Sequence, residues 1–309
     1  MEKEIIIHVG MHKTGTTYLQ EHIFPKLDDV YLVSVNTVVD PIKRFLKHLF
    51  SRNVLLLDLG QIKVEIEAFI ESLPQNKILI SNESLFGFFH ENYSHNKMFA
   101  DYLKLMFPNA KILVTIRRQD DWLESAYKQV IHAGLSISIN HFLNYFDGRF
   151  HSYASSAYKE GPNIDVRTLE LGRFIQNYQH LFSPQNVLVL PFEMLRNEPS
   201  RFLSTFYDFA KIKPYFPQSK KMSNRGYSLI SAYLALGFNR LTFLGRGTRK
   251  KLLRPLLERT IDRWFYIKHQ FIKPNIRAEI MKIHQNHNRE LAQLTGLNLQ
   301  QYGYYVETR

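Results

Sequence analysis

Four short, almost uninterrupted apolar runs constrain the fold of this chain more than any other feature. They begin at Glu4 (EIIIHVG), Lys77 (KILISNES), Lys111 (KILVTIRR) and Asn186 (NVLVLPFE), and a weaker fifth, DVYLVSV, begins at Asp29. Apolar runs of this length are typical of parallel strands that are buried on both faces. Because helical patterns separate them, the sequence predicts βαβ units and an α/β fold: a P-loop-like central parallel sheet of about five strands, flanked by helices.

The helical patterns place apolar residues three and four positions apart. They predict helices over residues 14–24, 61–73, 96–106, 120–132 and 167–181. After residue 198 the strand pattern stops and helical patterns dominate. We therefore expect a single domain over residues 1–309, with an α/β nucleotide-binding core at 1–198 and a mainly helical C-terminal part at 199–309.

Composition narrows the classes of function. Lys and Arg number 40 against 28 Asp and Glu, a formal charge of +12, which favours an anionic partner such as a nucleotide, an acidic glycan or a membrane surface. The chain has no cysteine, which excludes disulfides, thiolate metal sites and cysteine nucleophiles. The first apolar run is too short for a signal peptide and no run is long enough for a transmembrane helix, so we expect a cytoplasmic protein.

One stretch of the C-terminal part is strongly basic. Residues 240–263 contain eight Lys or Arg and two acidic residues, with apolar residues at helical spacing between them. This pattern predicts an amphipathic helix with a basic face. That face is either simply solvated or a contact surface for an acidic polymer or a membrane.

The first strand leads into HVGMHKTGTTYLQ, residues 8–20, which has the layout of an anion-binding loop. A strand, a glycine-containing turn and a helix present backbone N–H groups to an anion. Gly10 and Gly15 allow the tight turn, and Thr14, Thr16 and Thr17 add hydroxyl donors. The sequence therefore predicts that this loop binds a phosphate or a related anion.

The loop differs from the Walker A motif, in which a lysine directly follows the second glycine. Here Thr16 takes that position and the lysine is Lys13, two residues before Gly15. In addition, no strand ends in the aspartate that a Walker B strand would supply. Hydrolysis of a nucleoside triphosphate is therefore disfavoured.

The segment HKTGTT resembles the 5′-phosphosulfate loop of sulfotransferases that use 3′-phosphoadenosine 5′-phosphosulfate (PAPS). That loop commonly reads PKSGTT or PKTGTT, so His12 stands where the family has proline. A second similarity lies in TIRRQDDWLESAYKQ, where Arg117 and Ser125 have the spacing of the family's two 3′-phosphate ligands. Weaker similarity continues through QNVLVLPFEMLRNEPSRFLSTFYDFAKI, KKMSNRGYSL and NHNRELAQLTGLNLQQYGY.

The resemblance implies which residues bind the donor. Arg118 replaces Arg117 in that role if the strand ends one residue later, and Lys13 would neutralise the charge that develops as the S–O bond breaks. No metal is expected, because no histidines have a metal-ligand spacing such as HExxH. The implied donor-binding residues are His12, Lys13, Thr14, Gly15, Thr16, Thr17, Arg117, Ser125, Lys221 and Arg225.

The base that deprotonates the acceptor is His in some branches of the family and Glu in others. Glu83 is the first candidate, because it follows a predicted central strand at the sheet edge where ligands collect. His132, seven residues after Ser125, is the second catalytic candidate. His12 and His90 are further alternatives.

The sequence thus predicts a PAPS-dependent sulfotransferase that acts by in-line displacement and releases adenosine 3′,5′-bisphosphate. The basic charge and the 17 tyrosines favour a carbohydrate or glycolipid acceptor with a hydroxyl or amine, and no nucleic-acid partner is expected. Residues 132–158 either form the acceptor cleft or pack as a helical cap. Two alternatives stay open: a P-loop kinase that uses ATP, and a non-catalytic basic protein that binds acidic glycan or nucleic acid.

Overall fold

The computed structural model describes residues 3–34, 39–51, 58–152, 163–218, 229–240 and 270–306. Its centre is a parallel sheet of five strands in the order β2-β3-β1-β4-β7, as the apolar runs predict. Two further strands, β5 and β6, pair as a small antiparallel hairpin. The strands are β1 (Glu4–His8), β2 (Val30–Val33), β3 (Lys77–Ser81), β4 (Lys111–Ile116), β5 (Tyr145–Phe146), β6 (Arg149–Phe150) and β7 (Val187–Pro191).

The central strands are buried on both faces, which explains why their sequences do not alternate between apolar and polar residues. Successive side chains of a strand point to opposite faces of the sheet. Both members of two such pairs are nevertheless fully buried, Ile6 and Ile7 of β1 and Ile112 and Leu113 of β4. Helices therefore cover both sides of the sheet. The α/β fold that the sequence predicts is confirmed.

Helices fill the chain between the strands. Four of the five predicted helices are found within about four residues of their predicted bounds. The helices of the described residues are α1 (Thr16–Tyr18), α2 (Pro41–Phe50), α3 (Leu59–Ser72), α4 (Asn96–Met106), α5 (Gln119–His132), α6 (Ile139–Phe142), α7 (Leu171–Phe182), α8 (Phe192–Asn197), α9 (Pro199–Ala210), α10 (Leu229–Asn239), α11 (Pro274–Ile283) and α12 (Gln285–Thr295).

Two elements differ from the sequence prediction. The helix expected over 14–24 begins only at Thr16, because Gly15 has a φ of 84° and cannot lie in a right-handed helix, and it continues as a π-helical segment, Leu19–Ile23. Helix α2 is not predicted. Its signals are local: Asp40 accepts a hydrogen bond from the Lys43 N–H as the N-cap, and Pro41 occupies the first turn.

The C-terminal part packs against the core through helices. Within the described residues no strand follows Pro191, α10 and α11 contact α5, and α12 contacts α7. The division of the domain at residue 198 stays a prediction. No helix in the described ranges is long and apolar enough to cross a membrane. Lys221, Arg225 and residues 241–263 of the basic segment lie outside those ranges.

The sheet order decides where a site can form. Strand β1 lies at the centre, with β3 on one side and β4 on the other. The loops that follow these three strands meet at one edge of the sheet, where the winding of the chain reverses direction. Ligands of open α/β sheets bind at such a point.

Candidate active site

Three successive carbonyl oxygens of the loop after β1 are held by side chains from different elements. The carbonyls of residues 11–13 accept hydrogen bonds, in that order, from Thr14 Oγ1 at 2.5 Å, Trp122 Nε1 at 2.7 Å and Arg117 Nη1 at 2.9 Å. In a trans peptide the next residue's N–H points away from the carbonyl. Holding the carbonyls therefore also fixes the direction of the loop's N–H groups.

The same loop carries donors that are free to bind an anion. Within the described part of the chain, the backbone N–H groups of Lys13, Gly15, Thr16 and Thr17 make no hydrogen bond. Lys13 and Gly15 both have positive φ, 67° and 84°. Successive N–H groups that surround a turn of this kind form a concave site for anions.

A carboxylate lies directly against the loop. Glu83 follows β3, and its Oε2 accepts a hydrogen bond from Thr16 Oγ1 at 2.7 Å. Burial lowers the pKa of the Lys13 amine, the nearby Glu83 carboxylate raises it, and Arg117 lowers it again, with a net shift downward. The structure thus brings Lys13, Thr16 and Glu83 together at the carboxyl ends of β1 and β3.

His12 is buried beside this group. Its ring lies 5.4 Å from that of Phe89 and 6.1 Å from that of Tyr93, measured between centroids. Its Nδ1 is buried and has no hydrogen-bond partner among the described residues. Burial lowers the pKa of His12 although Glu83 raises it, and the net shift is downward.

Arg117 and Arg118 face different surroundings. The Arg117 guanidinium, besides its bond to the loop, lies 4.7 Å over the ring of Phe192, and burial lowers its pKa. Arg118 is held instead by both oxygens of Asp120, at 2.6 and 3.0 Å, and by Asp121 at 3.2 Å. Arg117 is therefore the arginine that contacts the anion loop, and the choice between Arg117 and Arg118 as the 3′-phosphate ligand stays a prediction.

Helix α5 carries the other two predicted site residues in different places. Trp122, which bonds to the loop, lies one turn before Ser125, whose hydroxyl makes no hydrogen bond to the described residues. His132 ends the helix, ten residues after Trp122, which is about 15 Å further along the helix axis. His132 therefore lies about three turns beyond the residue that bonds to the loop, and its catalytic role stays a prediction.

Comparison with known proteins shows the family of this chain. The family model described as "Sulfotransferase domain" matches residues 3–225, a range that contains the loop, Glu83, Arg117 and Ser125. The chain belongs to the sulfotransferase family. No curated protein sequence matches it.

A solved structure shows the same fold as this sulfotransferase. The sulfotransferase from Alicyclobacillus acidocaldarius is similar with a TM-score of 0.54 and 13% identity, covering 98% of this chain and 99% of that one. The sulfotransferase domain from the curacin biosynthetic pathway is similar with a TM-score of 0.43 and 13% identity, covering 93% of this chain and 98% of that one.

The family decides between the functional alternatives. The chain is a PAPS-dependent sulfotransferase enzyme, since PAPS is the family's sulfuryl donor. The kinase and the non-catalytic binding protein are therefore wrong. Among the described residues no group of three or more His, Asp or Glu could hold a metal ion.

The residues of this sulfotransferase fit an anionic donor. The free N–H groups, the buried Lys13 amine and the Arg117 guanidinium are all donors or cations, and the buried Nε of Arg117 has no partner within the described ranges. Such a set suits a phosphosulfate or a phosphate.

Two contacts of the site are missing from the sequence prediction. Trp122 holds the His12 carbonyl and Phe192 supports Arg117. The chain has only two tryptophans, and Trp122 lies five residues after Arg117 within the similar segment, so it could have been suspected. Phe192 gives no such signal, because its contact depends on the pairing of β4 with β7.

Proposed function

We propose that this sulfotransferase transfers the sulfuryl group of PAPS to a hydroxyl of a carbohydrate or glycolipid acceptor, with Glu83 as the base. The observation that carries the proposal is the 2.7 Å hydrogen bond from Thr16 to Glu83. It joins a carboxylate, the group that can accept a proton, directly to the loop that can bind the donor's anionic end.

The proposed donor site uses two groups of residues. Lys13 and the free N–H groups of residues 15–17 would hold the phosphosulfate, and Arg117 with Ser125 would hold the 3′-phosphate. Since the Thr16 hydroxyl already donates to Glu83, Thr16 contributes its N–H rather than its hydroxyl hydrogen. PAPS, when bound, supplies a sulfuryl group that is activated for transfer.

Glu83 is suited to take the acceptor's proton. Its Oε2 is held by Thr16, and its Oε1 makes no hydrogen bond to any described residue. A fixed carboxylate with a free oxygen can accept a hydroxyl proton and so increase the nucleophilicity of the acceptor. The charged amine of Lys13 stabilises the negative charge that develops on the leaving group.

Charge and exposed aromatics support a glycan as the acceptor. The +12 charge of the chain attracts acidic polymers, and aromatic side chains can stack on sugar rings. The β5–β6 hairpin, within the predicted cleft segment, exposes 43% of Phe146. A contact of residues 240–263 with a membrane surface and a cytoplasmic location are further parts of the proposal.

Nucleotide binding and sulfate transfer test the proposal separately. Calorimetry should show binding of adenosine 3′,5′-bisphosphate, no comparable binding of ATP with Mg²⁺, and at least about 10-fold weaker binding by Lys13→Ala. Lys97→Ala is the matched control, because Lys97 is an exposed lysine paired with Asp101 on α4.

The acceptor is identified by transfer of labelled sulfate from PAPS to panels of glycans, glycolipids and phenols. Transfer to glycans or glycolipids supports the proposal. Transfer to phenols alone contradicts the acceptor class, and tight binding of ATP with Mg²⁺ without adenosine 3′,5′-bisphosphate contradicts the donor.

A further inference from the structure

A chain of buried side-chain hydrogen bonds lies beneath the anion loop and crosses three neighbouring strands. The ring of His8, at the end of β1, lies between Ser81 of β3 and Thr115 of β4, and all three residues are fully buried. His8 Nδ1 is 2.9 Å from Ser81 Oγ, and His8 Nε2 is 3.3 Å from Thr115 Oγ1. Thr115 Oγ1 lies 2.7 Å from Thr14 Oγ1.

The end of this hydrogen-bond chain that lies in the loop decides which group donates and which accepts in every bond. The Met11 carbonyl can only accept, so the single hydroxyl hydrogen of Thr14 is donated to it. Thr14 must then accept from Thr115, and Thr115, whose hydrogen is now used, must accept from His8. His8 therefore carries its hydrogen on Nε2.

The hydrogen bonds at the other end of this hydrogen-bond chain, at Ser81, agree with these donor and acceptor roles. The Gln20 amide nitrogen donates to the Ser81 carbonyl at 3.2 Å and to Ser81 Oγ at 3.1 Å. Ser81 thus accepts from Gln20 and keeps its own hydrogen for the lone pair of His8 Nδ1. Burial lowers the pKa of His8 to about 3, so the ring has only one N–H in the neutral range.

We propose that His8 is a positioning residue for sulfuryl transfer: as the Nε2–H tautomer it fixes, through Thr115 and Thr14, the backbone of the loop that carries Lys13. The positioning role rests on the proposed function, because it takes this loop as the donor site. The assignment of the tautomer does not.

The packing at Gly10 shows how closely the loop lies on these side chains. A Cβ at Gly10 would lie 2.1 Å from Thr115 Oγ1 and 2.7 Å from His8 Nε2. Only glycine leaves room for the loop backbone to pass this close. The position of the loop is therefore set by direct contact with His8 and Thr115, as well as by the hydrogen bonds.

Nitrogen NMR of the histidine side chains tests the tautomer without any nucleotide. In ¹⁵N-histidine-labelled enzyme we expect one buried ring to be the neutral Nε2–H form at pH 7, with resonances that shift in Thr115→Val. A ring that responds to Thr115→Val but carries its hydrogen on Nδ1, or that averages rapidly between tautomers, overturns the proposal.

Substitutions of Thr115 test the positioning. Thr115→Val removes the hydroxyl at nearly constant volume and should lower kcat/KM for PAPS by about 10- to 100-fold, the cost of a misplaced reacting group. Thr115→Ser restores the hydroxyl and should stay within about 3-fold of wild type. Thr295→Val is the matched control, since the Thr295 hydroxyl bonds to the Leu291 carbonyl within α12.

A second variant guards against misfolding. Thr14→Val removes the bonds of Thr14 to Thr115 and to the Met11 carbonyl but leaves the bond from His8 to Thr115 intact, so it should reproduce the loss in kcat/KM. Folded Thr115→Val or Thr14→Val enzyme with wild-type kcat/KM overturns the positioning role. If wild-type enzyme does not bind adenosine 3′,5′-bisphosphate, the proposed donor site fails, and with it the positioning role, while the tautomer is still decided by NMR.

Discussion

At the scale of single residues, the candidate site is built on a pair of opposite charges. Lys13 and Glu83 lie on loops that follow neighbouring strands, and Thr16 connects them by its hydroxyl to Glu83. A cation can stabilise the leaving group and a carboxylate can accept the proton. The two charges therefore have separable roles, and substitutions should affect different kinetic parameters.

Glu83→Gln should reduce kcat without weakening donor binding. The amide oxygen of Gln can still accept the Thr16 hydrogen bond, so the loop keeps its position, but the amide cannot take a proton. We expect kcat to fall at least about 100-fold, as for a lost general base, while the affinity for adenosine 3′,5′-bisphosphate stays within about 2-fold. Steady-state kinetics and calorimetry measure the two quantities.

Glu65→Gln on α3 controls for the loss of a surface charge, since Glu65 pairs with the exposed Arg44 of α2 and not with a residue of the loop. Near-normal kcat in Glu83→Gln would contradict the role of Glu83 and transfer it to a histidine. His12 would be the first to test, because it is buried beside the same loop and its pKa is lowered.

The sequence predicts the residue types of the site better than their surroundings. HKTGTT, Arg117 and Glu83 are recognisable because their chemistry and spacing are local. The partners of His8 could not be predicted, because Ser81 and Thr115 become its neighbours only through the sheet order β3-β1-β4. In the sequence, the one sign of a special role for His8 is that it is a histidine within an otherwise apolar strand.

At the scale of elements, α5 carries two of the predicted site residues, Ser125 and His132. Trp122, near the start of the helix, donates a hydrogen bond to the loop. Arg118, which precedes the helix, contacts the acidic residues of its first turn. Ser125 follows Trp122 by one turn, whereas His132 lies at the opposite end. The resemblance to the family made Ser125 a candidate and its spacing from Ser125 made His132 one, and the helix places the two about two turns apart.

Ser125→Ala and His132→Ala should therefore differ in nucleotide binding. A hydroxyl that bonds to a charged phosphate contributes about 1.5–3 kcal/mol, so Ser125→Ala should weaken adenosine 3′,5′-bisphosphate binding about 10-fold or more. His132→Ala should leave binding and kcat within about 2-fold. Calorimetry with adenosine 5′-monophosphate, which lacks the 3′-phosphate, should show no difference between Ser125→Ala and wild type.

A Ser125→Ala variant that binds adenosine 3′,5′-bisphosphate normally would contradict its role as a phosphate ligand. A strong loss of activity in His132→Ala, with stability unchanged, would restore His132 as a catalytic candidate despite its distance.

Elements with strong local patterns are the ones that the sequence predicts. The central strands consist of buried apolar runs, and α4 is found at the predicted bounds. The π-helical segment Leu19–Ile23 could not be predicted, because the spacing of its apolar residues is the same as in an ordinary helix. Its position after Gly15 depends on the conformation of the loop.

At the scale of the whole molecule, a buried ion-pair network joins the C-terminal helices to the core. Asp120 of α5 is 1% exposed and accepts hydrogen bonds from Arg118 and from Arg277 of α11. Asp121 bonds to the same Arg277 at 2.7 Å. Next to this network, the buried Glu193 accepts from the Arg118 N–H at 3.1 Å. The C-terminal part is thus tied to the strand end that carries Arg117.

Asp120→Asn should destabilise the fold and weaken donor binding only secondarily. The variant leaves two partly buried guanidinium groups, those of Arg118 and Arg277, with one carboxylate fewer, and breaking a buried ion pair costs about 3–5 kcal/mol. Because Asp121 still contacts both arginines, we expect a loss near the lower limit, about 3 kcal/mol, in the free energy of unfolding measured with urea. Asp101→Asn is the matched control: its pair with Lys97 is exposed, so it should cost under about 1 kcal/mol. Equal losses in the two variants would show that the network does not join the C-terminal helices to the core.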